Sequence, residues 1–301
     1  MSDTPVFSLA FALILIHSLI SSPQALQIQN EKDVISISSN GQTLLEYKFD
    51  EVPYKPYVKE FYTPSGINIL RDAPHDHLHH HALMYAISVD GVNFWEEFQA
   101  PGQEKHVGFE EMKDGDDRAG FVEKLDWINP RTDEVLIQET RTLTAYSERS
   151  LDASLITWQT EFSLPEGKEQ ATLTGSKYFG LGMRFLTSMD TGGRFFNADG
   201  GVGVEATDDK NSKWCAYTAR ADGKPVTIAV FDDPKNPRSP ANWYTMDDPF
   251  AYLTATLALD VEPLVMRENL IVRYGVAVWD GEISSEKVEA LYQKWLGLLD
   301  D

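Results

Sequence analysis

The sequence predicts an all-β, mainly antiparallel protein, built as a large β-sandwich with one helix at its C-terminal end. Apolar and polar residues alternate with period two through most of the chain after residue 26. Turns rich in Asp, Gly, Asn and Pro separate the alternating runs. No succession of strand, helix and strand suggests a parallel sheet, and the glycines from Gly175 to Gly203 lack the spacing of a dinucleotide-binding loop.

In chain order, Val6 to Ile20 is a continuous apolar run broken only by Ser and His17, followed by Ser21-Ser22-Pro23. It is shorter than the roughly 20 residues that span a bilayer and has the length of a signal-peptide core. Residues 1–25 therefore read as a signal peptide, cleaved after Ser22 or Ala25, and the protein is expected to be secreted or periplasmic. Residues 26–301 read as a single sandwich domain without linkers or repeats. Asn40-Gly41 between Val34 to Ser39 and Gln42 to Phe49 predicts a hairpin, because that pair supplies the positive φ values of a type I′ turn. Asp90-Gly91 does the same between Leu83 to Val89 and Val92 to Trp95. Further strands are expected at 121–127, 134–146, 151–162, 170–174, 213–218, 226–231, 251–259 and 269–279. At the C-terminal end, Ser284 or Ser285 can cap a helix whose apolar stripe is Val288, Leu291, Tyr292, Trp295 and Leu299.

Composition narrows the function. A formal net charge of −21 repels phosphate backbones and anionic membranes, so neither nucleic acid nor, after signal cleavage, a membrane is an expected partner. The single cysteine, Cys215, rules out an internal disulfide and the usual thiolate zinc and iron–sulfur sites. Any metal would have to be held by His and carboxylates.

Five of the seven histidines lie in His75-Asp76-His77-Leu78-His79-His80-His81. If 77–81 is extended, His77, His79 and His81 face one side and Leu78 and His80 the other. Imidazoles so spaced suit two chemistries. One is proton transfer near neutral pH, with Asp76 fixing a tautomer. The other is a divalent ion bound by His77, His79 and a third ligand such as His106, Asp76 or Glu110.

Several stretches resemble the bacterial family labelled "methane oxygenase PmoA-like": Tyr54-Lys55-Pro56-Tyr57, Tyr62-Thr63-Pro64-Ser65-Gly66, Arg71-Asp72, Asp76-His77-Leu78-His79-His80 and Asp90 to Trp95. Trp214 to Tyr217, Phe231 to Pro234, Asn236 to Pro240, Trp243 and Arg273-Tyr274 continue the likeness in the same order, across roughly residues 50 to 297. The label does not describe the chemistry, because a methane monooxygenase membrane subunit needs several spanning helices. The resemblance implies a secreted β-rich protein found among bacterial genes for polysaccharide use and sugar oxidoreductases. His79-His80 before Trp95, and Lys177 to Gly182, are similar to segments of galactose-mutarotase-like β-supersandwiches, which present a His and a carboxylate over a sugar ring.

A sugar site needs aromatic platforms and polar groups for hydroxyls. Trp95, Trp214 and Trp243 are candidates for the first, whereas Trp158, Trp279 and Trp295 fall inside core patterns. Glu139, Asn236 and Arg238 are candidates for the second. Arg71 and Arg238 suit a uronate carboxylate or a developing oxyanion; Arg184 reads as a surface ion pair. The expected function is thus an exported carbohydrate-active protein, with His77, His79, His80 and His106 transferring protons on a saccharide or oxidised sugar in an epimerase, lyase or hydrolase type of reaction, and Arg71 steadying negative charge. The alternative is a non-catalytic carbohydrate-binding sandwich with a structural metal.

Overall fold

A computed structural model describes Met1 and residues 25–50, 52–147 and 151–300; the signal-peptide reading falls on residues outside these. The chain forms antiparallel sheets throughout. A nine-stranded sheet runs in the order Leu26–Glu31, Val34–Ser39, Gln42–Lys48, Tyr57–Phe61, Leu83–Ala86, Gly180–Arg184, Tyr252–Thr256, Asn242–Met246 and Lys210–Asn211. An eight-stranded sheet runs Arg194–Asn197, Trp214–Ala221, Lys224–Asp232, Leu270–Asp280, Ser154–Ser163, Glu134–Tyr146, Arg118–Asn129 and Gln103–Lys113. Four short strands make a smaller sheet: Leu264–Met266, Ala171–Thr174, Ser88–Val89 and Val92–Asn93.

Both expected turns form, with Asn40 and Gly41 at φ 51° and 75° and Asp90 and Gly91 at 49° and 80°, but the second hairpin pairs only Ser88–Val89 with Val92–Asn93, because Leu83–Ala86 belongs to the nine-stranded sheet. The inner faces of the two large sheets share one core, in which Tyr47 meets Phe121 and Trp158 across the sandwich. Burial of these faces drives the assembly.

The helix Ser285–Leu299 covers the outer face of the eight-stranded sheet. Strand Lys224–Asp232 is therefore buried on both sides: Val226, Ile228 and Val230 face the sandwich core, while Ala229 and Phe231 face the helix. Small residues make the helix fit. Gly275 lies so close to the Trp295 ring that a Cβ there would come within 2.7 Å of it. No helix among the described residues is long and apolar enough to cross a membrane.

Strands Tyr57–Phe61, Gln103–Lys113, Gly180–Arg184 and Asn242–Met246 are not expected from alternation. Gly180–Arg184 is buried at every position, so it carries no period-two signal. It is also the strand that leads into the site.

Candidate active site

The histidine segment is a closed loop rather than a strand. His77 N–H donates to the Pro74 carbonyl and His80 N–H to the His77 carbonyl, making two consecutive turns, and Ala73 N–H donates back to the His80 carbonyl. This overturns the alternation expected for 77–81. The turns gather His77, His79 and His80, with ring centroids 4.6 to 5.6 Å apart, and leave Leu78 exposed. His81 faces away from this group.

His81 is the loop's anchor. Its Nδ1 is 3.0 Å from Asp72 and its Nε2 3.0 Å from Glu97, with the ring stacked on Tyr57. Buried Lys55 donates to Glu97, and the Tyr57 hydroxyl donates to Asp72. Burial opposes a charge on His81, but the hydrogen bonds to Asp72 and Glu97 prevail and raise its pKa.

Arg184 enters from the strand end. Its backbone N–H donates to the Ala82 carbonyl and its own carbonyl accepts from Arg71 N–H, so it is stitched to both ends of the loop. The side chain is 1% exposed. It donates to Asp76 (3.1 Å) and to His80 Nδ1 (3.3 Å), and its guanidinium lies 3.4 Å from the centre of the Phe250 ring. A guanidinium can only donate, so His80 Nδ1 must accept and the neutral ring carries its proton on Nε2. His77 is the reverse case. Its Nδ1 lies 3.1 Å from Asp76; donation to that carboxylate leaves the His77 Nε2 lone pair available.

The wall of the pocket comes from register. Arg184, Tyr252 and Met246 lie opposite one another on three neighbouring strands, and Tyr244 shares the Met246 face. Gly182 leaves room for the Tyr252 phenol, 2.4 Å from where a Cβ would stand. Tyr244, Met246 and Tyr252, with Trp95, Phe98, Tyr178, Phe250 and the three histidines, enclose a pocket of about 450 Å³ that also borders Asp76 and Glu96, and Arg184 bears on it only through Asp76 and His80. Trp95 packs face to face with Phe179 and edge-on to His79 and His80.

Burial first, and His77 next, push His79 down to about 4; burial, then His79 and His77, and then the Arg184 charge push His80 down to about 2. Both are neutral at physiological pH. Asp76 moves the other way: burial opposes it, yet hydrogen bonds from His77 and Arg184 hold the carboxyl well below its usual range.

These shifts set the pH dependence of stability. Below pH 6.5 the unfolded chain protonates His79 and His80 while the folded one does not, so stability falls as pH drops. His81 has the opposite sign: its contribution is complete below about 6.5 and is lost as pH rises through its raised value. Stability is expected to peak near pH 6 to 7. For a buried histidine such as His80 the loss at pH 5 is about 2 kcal/mol, or a fall in Tm of about 4–8 °C. Glu104, which burial pushes up to about 8, acts in the opposite sense over this range, so the test is thermal unfolding of Glu104→Gln from pH 8 to 5; a midpoint flat between pH 7 and 5 in that variant refutes it.

The structure corrects several expected site residues. His106 lies in a separate cleft of about 520 Å³, its Nδ1 2.6 Å from buried Glu123 and its ring between Phe49 and Phe109. His77, His79 and His106 therefore do not converge, and no group of three or more His, Cys, Asp or Glu among the described residues is arranged to hold a metal ion. The guanidinium beside His80 further opposes a second cation there. Trp214 is buried beneath the C-terminal helix with its indole N–H on Glu289. Trp243 is buried with its N–H on the Ser212 carbonyl, and its strand neighbour Tyr244 faces the pocket instead. Asn236 braces Asp232 and the Arg273 backbone. Arg238 spends its guanidinium on the carbonyls of Leu257, Ala258, Glu262 and Pro263. Glu139 is sealed between the sheets beside Arg141. Arg71 pairs with Asp190 at 3.8 Å outside the pocket lining.

Arg184, expected as a surface ion pair, is instead buried behind the pocket, Tyr178 falls in the stretch Lys177 to Gly182 without having been singled out, and Tyr244, Phe250 and Tyr252 went unread in the sequence. The one local hint was an arginine closing the otherwise apolar, glycine-containing stretch Gly180 to Met183, where a charge must find a buried partner.

Comparison with solved structures finds shapes related at low identity. The GH36 alpha-galactosidase AgaA from Geobacillus stearothermophilus is 9% identical over 85% of this chain and 41% of its own, with a TM-score of 0.48. An alpha-galactosidase from Lactobacillus brevis is 7% identical over 89% and 41%, with a TM-score of 0.49. The Slr1438 protein from Synechocystis sp. PCC 6803 is 11% identical over 86% and 93%, with a TM-score of 0.39. The chain thus spans about two fifths of the length of the two galactosidases. No curated protein matches the sequence. A family model described as "Family of unknown function (DUF6807)" matches residues 34–293.

Proposed function

The chain belongs to DUF6807, a family of unknown function, and from the pocket of this member we propose that it acts on a saccharide or oxidised sugar by proton transfer from the substrate to an imidazole. The observation that carries this reading is the opposite hydrogen bonding of two adjacent histidines. Asp76 orients His77 with an open Nε2 lone pair, a base; Arg184 orients His80 with a proton on Nε2, a donor. The base removes a proton from a carbon beside a carbonyl, and the donor hydrogen-bonds the oxygen on which negative charge develops.

The aromatic lining supports a pyranose, whose apolar face stacks on Trp, Tyr and Phe rings. Epimerisation and elimination use such a pair directly. Hydrolysis by two carboxylates is less well served, because Asp76 is held by Arg184 and His77. The same reading places the protein outside the cytoplasm, supported by the apolar run Val6 to Ile20.

Turnover on a panel of glycosides and 3-keto-glycosides tests the proposal. His77→Ala is expected to lower turnover about 10²–10⁴-fold while Tm moves by only a few degrees, because a side chain one third exposed at a turn contributes little to the core. Full activity in His77→Ala overturns the role of base. Binding without turnover across the panel favours the non-catalytic module.

A further inference from the structure

Resting on the saccharide reading above, we infer that this pocket selects a sugar carrying a free amino group and rejects one carrying an acid group. The charges around the pocket point one way. Glu96 borders it and is held only by neutral partners, accepting from the Tyr178 hydroxyl at 2.6 Å and the Asn93 amide at 3.0 Å. Asp76 borders it as well, but its charge is already paired with Arg184.

Every cation nearby is already committed. Arg184 is buried, divided between Asp76 and His80, and capped by Phe250. Lys177 lies on the Tyr244 ring at 4.9 Å from its centre and 3.9 Å from Asp208, and Lys55 is sealed against Glu97. His79 and His80 add no charge near neutral pH. Arg71 and Arg238, which the sequence suggests for a uronate, are bound to Asp190 and to four carbonyls. An acid group entering this pocket would lose water and meet the unpaired Glu96 carboxylate without a free counter-charge.

An ammonium group meets the opposite situation. On the Glu96 side, away from the Arg184 charge, it gains an unpaired carboxylate, and the π-faces of Trp95, Tyr178 and Tyr244 attract cations. A partly exposed ion pair and one such aromatic contact together correspond to about tenfold in affinity.

Titration calorimetry with the methyl glycosides of glucosamine, glucose and glucuronic acid, repeated in the galacto series, reads this out at pH 7. In whichever series binds, the amino sugar is expected to bind about tenfold tighter than its neutral parent and the uronide at least tenfold weaker. Glu96→Gln is expected to shrink the ratio of amino to neutral affinity severalfold. A uronide that binds as well as the neutral parent, or an amino sugar that binds no better than it, overturns the charge selection and leaves the saccharide reading standing. If none of the six ligands binds protein that unfolds cooperatively, the saccharide reading falls and the inference falls with it.

Discussion

Arg141→Met is expected to lower stability by about 3–5 kcal/mol, the cost of leaving a buried carboxylate without its partner. Arg141 is fully buried between the sheets, and all five of its N–H donors are used. Nε and Nη2 donate to Glu139 at 2.7 and 2.8 Å, Nη2 also to Glu104 at 2.9 Å, and Nη1 to the Tyr47 hydroxyl and the Pro56 carbonyl, both at 3.1 Å. Glu139 further accepts from the Trp127 indole and the Thr160 hydroxyl, so its charge is fixed in place. Without the guanidinium that charge stays buried, and Tm should fall by about 6–20 °C.

Glu104→Gln provides the contrast. Burial, only partly offset by Arg141, pushes Glu104 up to about 8, so it is protonated at neutral pH and already behaves as an uncharged group. Its Oε1 has no hydrogen-bond partner, and the glutamine amide can occupy the same place. A change within about 1 kcal/mol is expected. Thermal unfolding of both variants decides the matter: equal losses, or an Arg141→Met protein within 2 °C of the parent (about 1 kcal/mol or less), would sink this account. Ligand binding by folded Arg141→Met should match the parent, because Glu139 is a core residue and not part of the histidine pocket.

The second large effect is expected at Arg184, a positioning residue. Arg184→Met preserves much of the side-chain volume but removes the donor that fixes the His80 tautomer and half of the support for Asp76. Turnover should fall about 10²-fold, the scale seen when a group that orients a reactive residue is lost. A purely structural role would stop at stability. Here the pH profile should move too: burial and the histidines hold His80 low and the Arg184 charge adds to them, while Arg184 also holds the Asp76 carboxylate that orients the base His77, so its removal is expected to change the acidic limb of kcat/KM. Arg184→Lys restores the charge without the two-pronged geometry and should recover only part of the rate. Parental turnover with an unshifted pH profile in Arg184→Met would refute the assignment.

The all-β fold with its terminal helix was legible because its signals are local. Asn40-Gly41 and Asp90-Gly91 set their own turns, Glu134–Tyr146 alternates by itself, and the stripe Val288, Leu291, Tyr292 and Trp295 marks its buried face within four turns of helix. The sequence also marked 75–81 as chemically unusual, since five histidines in seven positions need no structure to be noticed.

What those histidines do was decided only in three dimensions. Alternation along a strand would have put His80 opposite His77 and His79; the loop instead closes on itself because His81 is clamped between Asp72 and Glu97, contacts of 9 and 16 residues' separation. Arg184, 104 residues from His80, then sets which nitrogen carries the proton. Trp243 and Tyr244 show the same division. Composition favoured the tryptophan, but the pleat turns it into the core and its neighbour towards the pocket. Turn and strand propensities act between neighbours and can be read along the chain. A tautomer, a buried ion pair and the face a side chain takes depend on which distant group the fold brings within about 3 Å, and that distance is a property of the packed structure alone.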